Sequence, residues 1–368
     1  MLQSAPEMNV LVLQGGGALG AYQAGAYEAL AEEGFLPDWV AGISIGAING
    51  SIIAGNKPED RVAKLRQFWE KVSSGLQGTI PAFEEFLRPF FNETSANLAA
   101  SFGVPGFFLP RFPSPYFQPG GTLEAISLYD TKPLAETLAG LVNFDYLKHH
   151  GPRLSVGAVD VIMGNFKYFD TVNDTLGVKH IMASGALPPA FAPVEIDGHF
   201  YWDGGIVSNT PVDYVMEFDG ARQDMCIFQV DVFRARGTMP KTLGEVTERE
   251  KDIRFSSRTR FNSDHIKQLQ DMRNAASRLA AKLPEALRED PDALLLRDWS
   301  CQANITLAHL IRRDTGIDGG TKDYEFSRLS IDEHWASGRE NVRKGLKSKN
   351  WVGRDKNLPG VQVFDLTK

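Results

Sequence analysis

From Val10 to Ala54 the sequence twice passes from a short apolar run, through glycine, into a helix-forming stretch. Val10 to Leu13 is apolar and breaks at Gly15-Gly16-Gly17; Ala18 to Glu33 is alanine-rich and stops at Gly34, a residue that tolerates the left-handed backbone just past a helix. Asp38 to Ile43 supplies a second strand and Gly46 to Ala54 a second helix. Two strands separated by a helix do not close as a hairpin; they pair in parallel and need helices to cover the sheet. The expected fold class is therefore α/β, a central and mostly parallel sheet flanked by helices.

Further along, the pattern changes. Val156 to Ile162 and Phe166 to Asp170 flank Met163-Gly164-Asn165, and Val194 to Ile196 and Phe200 to Trp202 flank Asp197-Gly198. Both predict hairpins. A short helix is expected over Val178 to Gly185, before Pro188-Pro189, and a buried strand over Ile227 to Phe233. Gly237 to Arg260 mixes charges of both signs, as a solvated connection or a charged helix would. Ser263 to Leu283 reads as a long helix and Ile305 to Ile311 as a late strand, and Ser330 with Glu333 forms a capping-box pattern opening a final helix to about Leu346.

Composition removes several functions. A net charge of −7 offers no concentrated basic surface, so no nucleic-acid partner is expected. Cys226 and Cys301 are far apart, which fits neither a metal-ligand spacing nor a disulfide framework, and suits a reducing compartment. No metal and no cofactor is expected. There is no apolar run of 18 residues and no basic-then-apolar leader. The cytoplasm is the expected address, with any membrane contact made peripherally.

The chemistry begins at Gly42-Ile43-Ser44-Ile45-Gly46, a G-x-S-x-G where a strand turns into a helix. A serine on such a turn projects its hydroxyl above the sheet edge, and Gly42 and Gly46 remove side chains that would obstruct the turn. The helix beginning there aims N–H groups and a positive dipole end at the reacting oxygen.

Gly15-Gly16-Gly17-Ala18-Leu19-Gly20 admits two readings. It matches G-x-G-x-x-G, the dinucleotide-binding loop, with Asp38 near the spacing of a ribose-binding acid. That acid should close the second strand, whereas Asp38 opens it, and the strand's end carries the serine instead. A phosphate-binding P-loop also fails, since Ala21 and Tyr22 follow Gly20. The other reading is an oxyanion hole, in which bare backbone N–H groups converge on a developing alkoxide; one such donor is worth about 3 kcal/mol in the transition state.

Asp203-Gly204-Gly205 follows the Phe200-Tyr201-Trp202 strand end, where a carboxylate within reach of Ser44 would take its proton. None of the seven histidines (His149, His150, His180, His199, His265, His309 and His334) sits in a loop motif after a strand-end acid, as a Ser–Asp–His order would require.

Taken together, the glycine loop at 15–20, the serine elbow at 42–46 and Asp203-Gly204-Gly205, with Ala47-Ile48-Asn49 and Ala183-Ser184-Gly185-Ala186-Leu187-Pro188, resemble the patatin-like phospholipase family over about Asn9 to Val232. The resemblance implies a three-layer α/β architecture and a Ser–Asp dyad that hydrolyses acyl esters of lipids. Ser44 would be the nucleophile and Asp203 the base. Gly15, Gly16 and Gly17 would form the oxyanion hole with the N–H of Ile45, supported by Gly20, Gly42, Gly46, Gly204 and Gly205. Leu19 stands where the family often carries a basic residue, which weakens the case for an anionic head group. A thioesterase, acyltransferase or polyester hydrolase would use the same atoms, and the rivals of another class are a nucleotide-binding protein or an inactive scaffold.

The expected organisation is a catalytic domain over 9–236 and a mixed extension over 237–368 packing on it. Asp323 to Leu329 and the helix after it resemble an extension of some bacterial members, read as packing or homo-oligomerisation. Within the first domain an aromatic lid or subdomain is expected over about 75–122. Phe83 to Phe117 holds ten aromatic residues in 35 positions, against 10% over the chain, and Pro89, Pro105, Pro110, Pro113, Pro115 and Pro119 are expected to break it into short pieces. It reads as a lid or acyl channel, a surface dipping into lipid, or a packed subdomain. The basic residues from Arg339 to Lys356 read as a solvated helix end.

Overall fold

A computed structural model of the chain describes residues 7–75, 87–217, 223–256, 259–313, 319–356, 358 and 360–368. Phe83, Glu84, Glu85 and Phe86 of the aromatic stretch lie outside the described residues. The strands are β1 (Met8–Leu13), β2 (Trp39–Gly42), β3 (Leu109–Pro110), β4 (Tyr129–Asp130), β5 (Arg153–Asp160), β6 (Phe166–Asp170), β7 (Val194–Ile196), β8 (His199–Asp203), β9 (Met225–Asp231), β10 (Asn304–Ile311) and β11 (Gly360–Asp365). The first helices are α1 (Gly20–Glu32), α2 (Ile45–Ala54), α3 (Arg61–Val72), α4 (Arg88–Phe102), α5 (Lys132–Leu141) and α6 (Phe144–His149). They are followed by α7 (Val178–Ser184), α8 (Val212–Glu217), α9 (Leu243–Phe255), α10 (Thr259–Ala280), α11 (Pro291–Trp299), α12 (Arg328–Leu346) and α13 (Lys349–Val352).

Among the described residues nine strands form one sheet in the order β11-β10-β9-β1-β2-β5-β8-β7, with β6 also pairing β5. From β11 to β5 every pairing is parallel, whereas β6 and β8 pair antiparallel with β5, and β7 pairs antiparallel with β8. The fold is α/β, as the alternation at the N-terminus predicts. Alternate residues of β1 enter opposite cores: Leu11 and Leu13 pack with α1, α2 and α3, while Val10 and Val12 pack with Val212, Val215 and Met216 of α8 and Ile266 of α10. Both faces of the strand are buried, which is why it reads as a continuous apolar run.

The Asp197-Gly198 hairpin has positive φ at both turn residues, 52° and 80°, the mirror-image turn that matches strand twist. Three sequence expectations need correction. Pro89 does not break the aromatic stretch, because it lies in the first turn of α4, where its missing N–H has no intrahelical partner to lose; beyond Gly103 the stretch is in short pieces, as expected. α12 is capped by Ser327, whose hydroxyl accepts from Ser330 N at 3.3 Å, while Glu333 instead pairs with Arg88 at 2.6 Å. The basic residues of α12 are also not a free solvated end. Arg339 and Arg343 both grip Glu32 of α1, at 2.5 and 2.7 Å.

α1 and α12 touch backbone to backbone. A Cβ on Gly25 would lie 1.9 Å from the Trp335 carbonyl oxygen, and one on Gly338 would lie 2.0 Å from that of Tyr22. Trp335 Nε1 donates to Glu28 at 2.5 Å beside this crossing, which anchors α12 to the helix that follows the glycine loop. Gly338→Val should therefore force the helices apart and lower the unfolding free energy by about 1–3 kcal/mol in urea denaturation; a loss under about 0.5 kcal/mol would mean the contact is soft.

Candidate active site

Ser44 is the second of the two residues between β2 and α2, and its backbone is at φ 55° and ψ −122°. An ordinary L-residue pays about 1–3 kcal/mol to sit in such a region, so the surroundings must hold it there. They do so by close approach. A Cβ on Gly42 would lie 2.3 Å from the Gly46 oxygen, and one on Gly46 would lie 2.3 Å from the Leu13 oxygen. The turn is thereby pressed onto the end of β1. Ser44 N donates to Ser184 Oγ at 3.1 Å, and the Ser44 carbonyl accepts from Ala47 N and Ile48 N as α2 begins.

Asp203 ends β8 opposite Ala158 of β5, and its side chain is fully buried. The Ser44 hydroxyl donates to its carboxylate, and Gly205 N donates to Oδ1 at 2.7 Å. Burial pushes its pKa up to about 7, against these two hydrogen bonds, which pull it down. Gly204 fits because a Cβ there would meet the Gly157 oxygen at 2.6 Å, and Gly205 because one would meet Asn209 Oδ1 at 2.9 Å.

The glycine loop lies beside the serine: a Cβ on Gly15 would come within 3.1 Å of Ser44 Cβ. Its N–H groups are not equivalent. Gly15 N donates to the Asn209 oxygen at 3.2 Å, so Gly15 is not free to serve as a donor to a ligand, and Ala18 N donates to the Asp323 oxygen at 2.8 Å. For the N–H groups of Gly16, Gly17 and Ile45 no acceptor is found among the described residues. Gly17 is held at φ 55° with the Asp323 oxygen 2.0 Å from where a Cβ would stand. Gly20 serves the crossing of α1 and α2, where a Cβ would strike Ile45 at 2.4 Å. Leu19 is buried in the core and does not line the site. Asp38 is remote in role: its carboxylate accepts from Asn9 N at 2.8 Å at the start of β2.

These groups open into a cavity of about 370 Å³ lined by Ile48, Leu187 and a ring of aromatic residues that includes Phe107, Phe108, Tyr129, Phe191, Phe233 and Phe326. Among the described lining residues the charged ones are Asp203 and Asp323; none is a lysine, arginine or histidine. The aromatic stretch thus divides. Phe107 and Phe108 are buried in the cavity wall, and Phe108 packs edge-on to Tyr129 with ring centres 4.7 Å apart. Phe90, Phe102, Phe112, Tyr116 and Phe117 are exposed.

Several residues at the site carried no signal in the sequence. Asn209 Nδ2 donates to the Gly15 oxygen at 3.1 Å and the Phe255 oxygen at 2.8 Å, clamping the glycine loop to the end of α9. Gln14 does the same from behind: its Oε1 accepts from Val232 N and Phe233 N, and its Nε2 donates to Thr210 and the Phe255 oxygen. Phe255, Asp323, Tyr324 and Phe326 come from beyond residue 237 and wall the cavity. Lys251 ties this wall together, donating to Asp323 Oδ1 at 2.7 Å. Ser184 stood within a motif already singled out, and Asp323, Tyr324 and Phe326 within the Asp323 to Leu329 segment, whose expected role was packing or homo-oligomerisation and not a place at the cavity wall.

The sequence matches the family model described as patatin-like phospholipase over residues 11–216, more than half of the 368, and a second model described as patatin phospholipase over 253–358. Similar relatives include patatin-like phospholipase domain-containing protein 7 of Rattus norvegicus, 26% identical over 55% of this chain and 12% of that protein. Another is neuropathy target esterase sws of Drosophila melanogaster, 25% identical over 60% of this chain and 13% of that protein. The chain thus matches about an eighth of the length of these relatives. Among solved structures, VipD from Legionella pneumophila is aligned over 98% of this chain and 72% of its own, at 15% identity and a TM-score of 0.37. The ExoU–SpcU complex of Pseudomonas aeruginosa is aligned over 80% and 69%, at 20% identity and 0.30, and neither likeness adds to the fold described above. With its family model spanning the serine elbow, the glycine loop and Asp203, the chain belongs to the patatin-like phospholipase family.

Proposed function

We propose that this protein is a serine acyl hydrolase that cleaves carboxylic esters of lipids through an acyl-enzyme on Ser44, with Asp203 as the base. The observation that carries the reading is the hydrogen bond from the Ser44 hydroxyl to a buried carboxylate that lines an apolar cavity. Family membership supports the lipid substrate class. The cavity, without a cation among its described lining residues, favours an acyl chain and an uncharged ester over a phosphate group.

In the first step Ser44 Oγ attacks the ester carbonyl carbon while its proton passes to Asp203. The carbonyl oxygen gains the negative charge and is met by the N–H groups of Gly16, Gly17 and Ile45, each already lacking a protein acceptor among the described residues. Collapse breaks the bond to the alcohol, which leaves with the proton held by Asp203. A water then gives its proton to Asp203 and attacks the acyl carbon; the Ser44 oxygen departs, takes the proton back and releases the fatty acid. Gly15 shapes the loop and donates no proton to the reaction. Residues 237–368 belong to this reading as part of the catalytic unit, since Phe255, Tyr324 and Phe326 wall the acyl cavity.

Ser44→Ala and Asp203→Asn should each cut turnover of a soluble ester by at least about 1,000-fold, and Ser44→Ala should abolish labelling by a fluorophosphonate. Labelling that survives in Ser44→Ala, or turnover within tenfold of the parent in both variants, would remove the dyad.

The titration of Asp203 has two consequences of opposite sense. The base must be ionised, so kcat/KM for an uncharged ester should rise with pH through an inflection near 7 and then level off. Stability should move the other way. A carboxyl whose folded pKa lies above its unfolded value favours the protonated folded protein, so stability falls as pH rises from about 4 towards 7. Asp203→Asn, which cannot ionise, should therefore be more stable than the parent at pH near 8, by on the order of 1–4 kcal/mol. An activity inflection below about pH 5, or an Asn variant less stable than the parent, would contradict the buried carboxyl.

A further inference from the structure

The exposed half of the aromatic stretch has no place in the reaction just described. Three of its rings, Phe112, Tyr116 and Phe117, lie on a loop from Arg111 to Leu128, closed at its base where Arg111 N donates to the Leu128 oxygen at 3.0 Å, next to the pairing of β3 with β4. Immediately below this base stand Phe108 and Tyr129, both in the cavity wall. The base is also bonded to the neighbouring wall, with Leu128 N to the Pro189 oxygen and Tyr129 N to the Ala190 oxygen, so the loop is rooted in the rim of the cavity.

Its outward side chains are unusual. Phe112 is 98% exposed, Tyr116 88% and Phe117 84%. Single exposed apolar residues are ordinary, but three nearly bare aromatic rings within six positions are not. From Leu98 to Tyr129 the charged residues are Arg111, whose guanidinium donates to Ser127 at 2.8 Å, and Glu124. Ile162 and Met163, 81% and 66% exposed, project from the turn after β5, at the same end of the parallel strands as Ser44.

We infer that the 111–128 loop inserts Phe112, Tyr116 and Phe117 into an electrically neutral lipid surface and seats the cavity mouth on it. This deepens the hydrolase reading and rests on it for the substrate, although docking itself needs no catalysis. A lipid surface fits better than a protein partner. The rings protrude singly from a proline-rich loop and offer neither a groove nor charges to set an orientation, whereas insertion into an acyl layer requires only apolar burial. The cavity rooted below the loop would receive an acyl chain drawn from that layer.

The test uses the full chain as Ser44→Ala, so that vesicles stay intact, with and without Phe112→Ser, Tyr116→Ser and Phe117→Ser combined. Co-sedimentation with phosphatidylcholine vesicles should show binding that persists from about 0.05 to about 0.5 M salt, and the triple substitution should weaken it by about 10–100-fold. No binding by the parent, equal binding by the triple variant, or binding lost at the higher salt would overturn the proposal. So would a parent that elutes as a dimer and a triple variant that elutes as a monomer, which would make the loop a contact between copies. With Ser44 restored, the triple variant should turn over a monomeric soluble ester at the parent's rate. Vesicle binding without soluble-ester turnover in the parent would leave the docking intact and remove the hydrolase reading instead.

Discussion

The whole site is arranged around one unfavourable interaction, the enclosure of the Asp203 carboxyl away from water. A carboxylate in that position is costly unless it is hydrogen-bonded, and the two donors it receives are the Ser44 hydroxyl and Gly205 N. Each donor depends on a backbone placed under constraint. Ser44 is held in a strained conformation by Gly42 and Gly46, and Gly205 N is turned inward by the tight helical turn that begins after Asp203. The result is a carboxyl whose proton affinity is raised by burial, facing the Ser44 hydroxyl, while the other lining carboxylate, Asp323, is paired with Lys251.

The glycine loop depends on a second set of contacts that reach across the chain. Asn209, after Asp203, and Gln14, before the loop, both bind the Phe255 oxygen at the end of α9. Asp323, more than 300 residues downstream of Gly17, fills the space that a side chain on Gly17 would need. Lys322 is buried between Glu248 and Asp252 of α9, at 2.9 and 2.8 Å, and fixes the segment that carries Asp323. β10 and β11 continue the same sheet beyond β9, and α12 lies against α1, so the last third of the chain braces the loop from two directions.

What was legible in the sequence was local. The strand–glycine–helix repeats predict the parallel sheet because φ > 0 and close approach leave glycine in the right places, and Asp197-Gly198 specifies its hairpin for the same reason. The positions of Ser44 and Asp203 could be marked because each stands at a strand end beside glycine. What could not be read was long-range or dependent on packing. β11 opens at Gly360 but is a short run interrupted by Gln362, and its pairing with β10 joins segments that only the folded sheet brings together. Asn209 sits in Ser208-Asn209-Thr210-Pro211, an ordinary turn sequence. The commitment of the Gly15 N–H to the Asn209 oxygen appears in no motif, so three loop glycines looked alike where only two present open donors. Pro89 misled because a proline before a helix and a proline inside one differ only by where the helix begins.

The central claim is that a covalent bond forms at Ser44 during turnover. Rapid quenching of the parent protein with a slowly deacylating ester, followed by mass analysis of its peptides, tests this most directly. The account predicts an acyl adduct on the peptide containing Ser44, at the hydroxyl of that residue, accumulating with the first release of alcohol. Ester hydrolysis with no adduct, or an adduct on a different side chain, would contradict it.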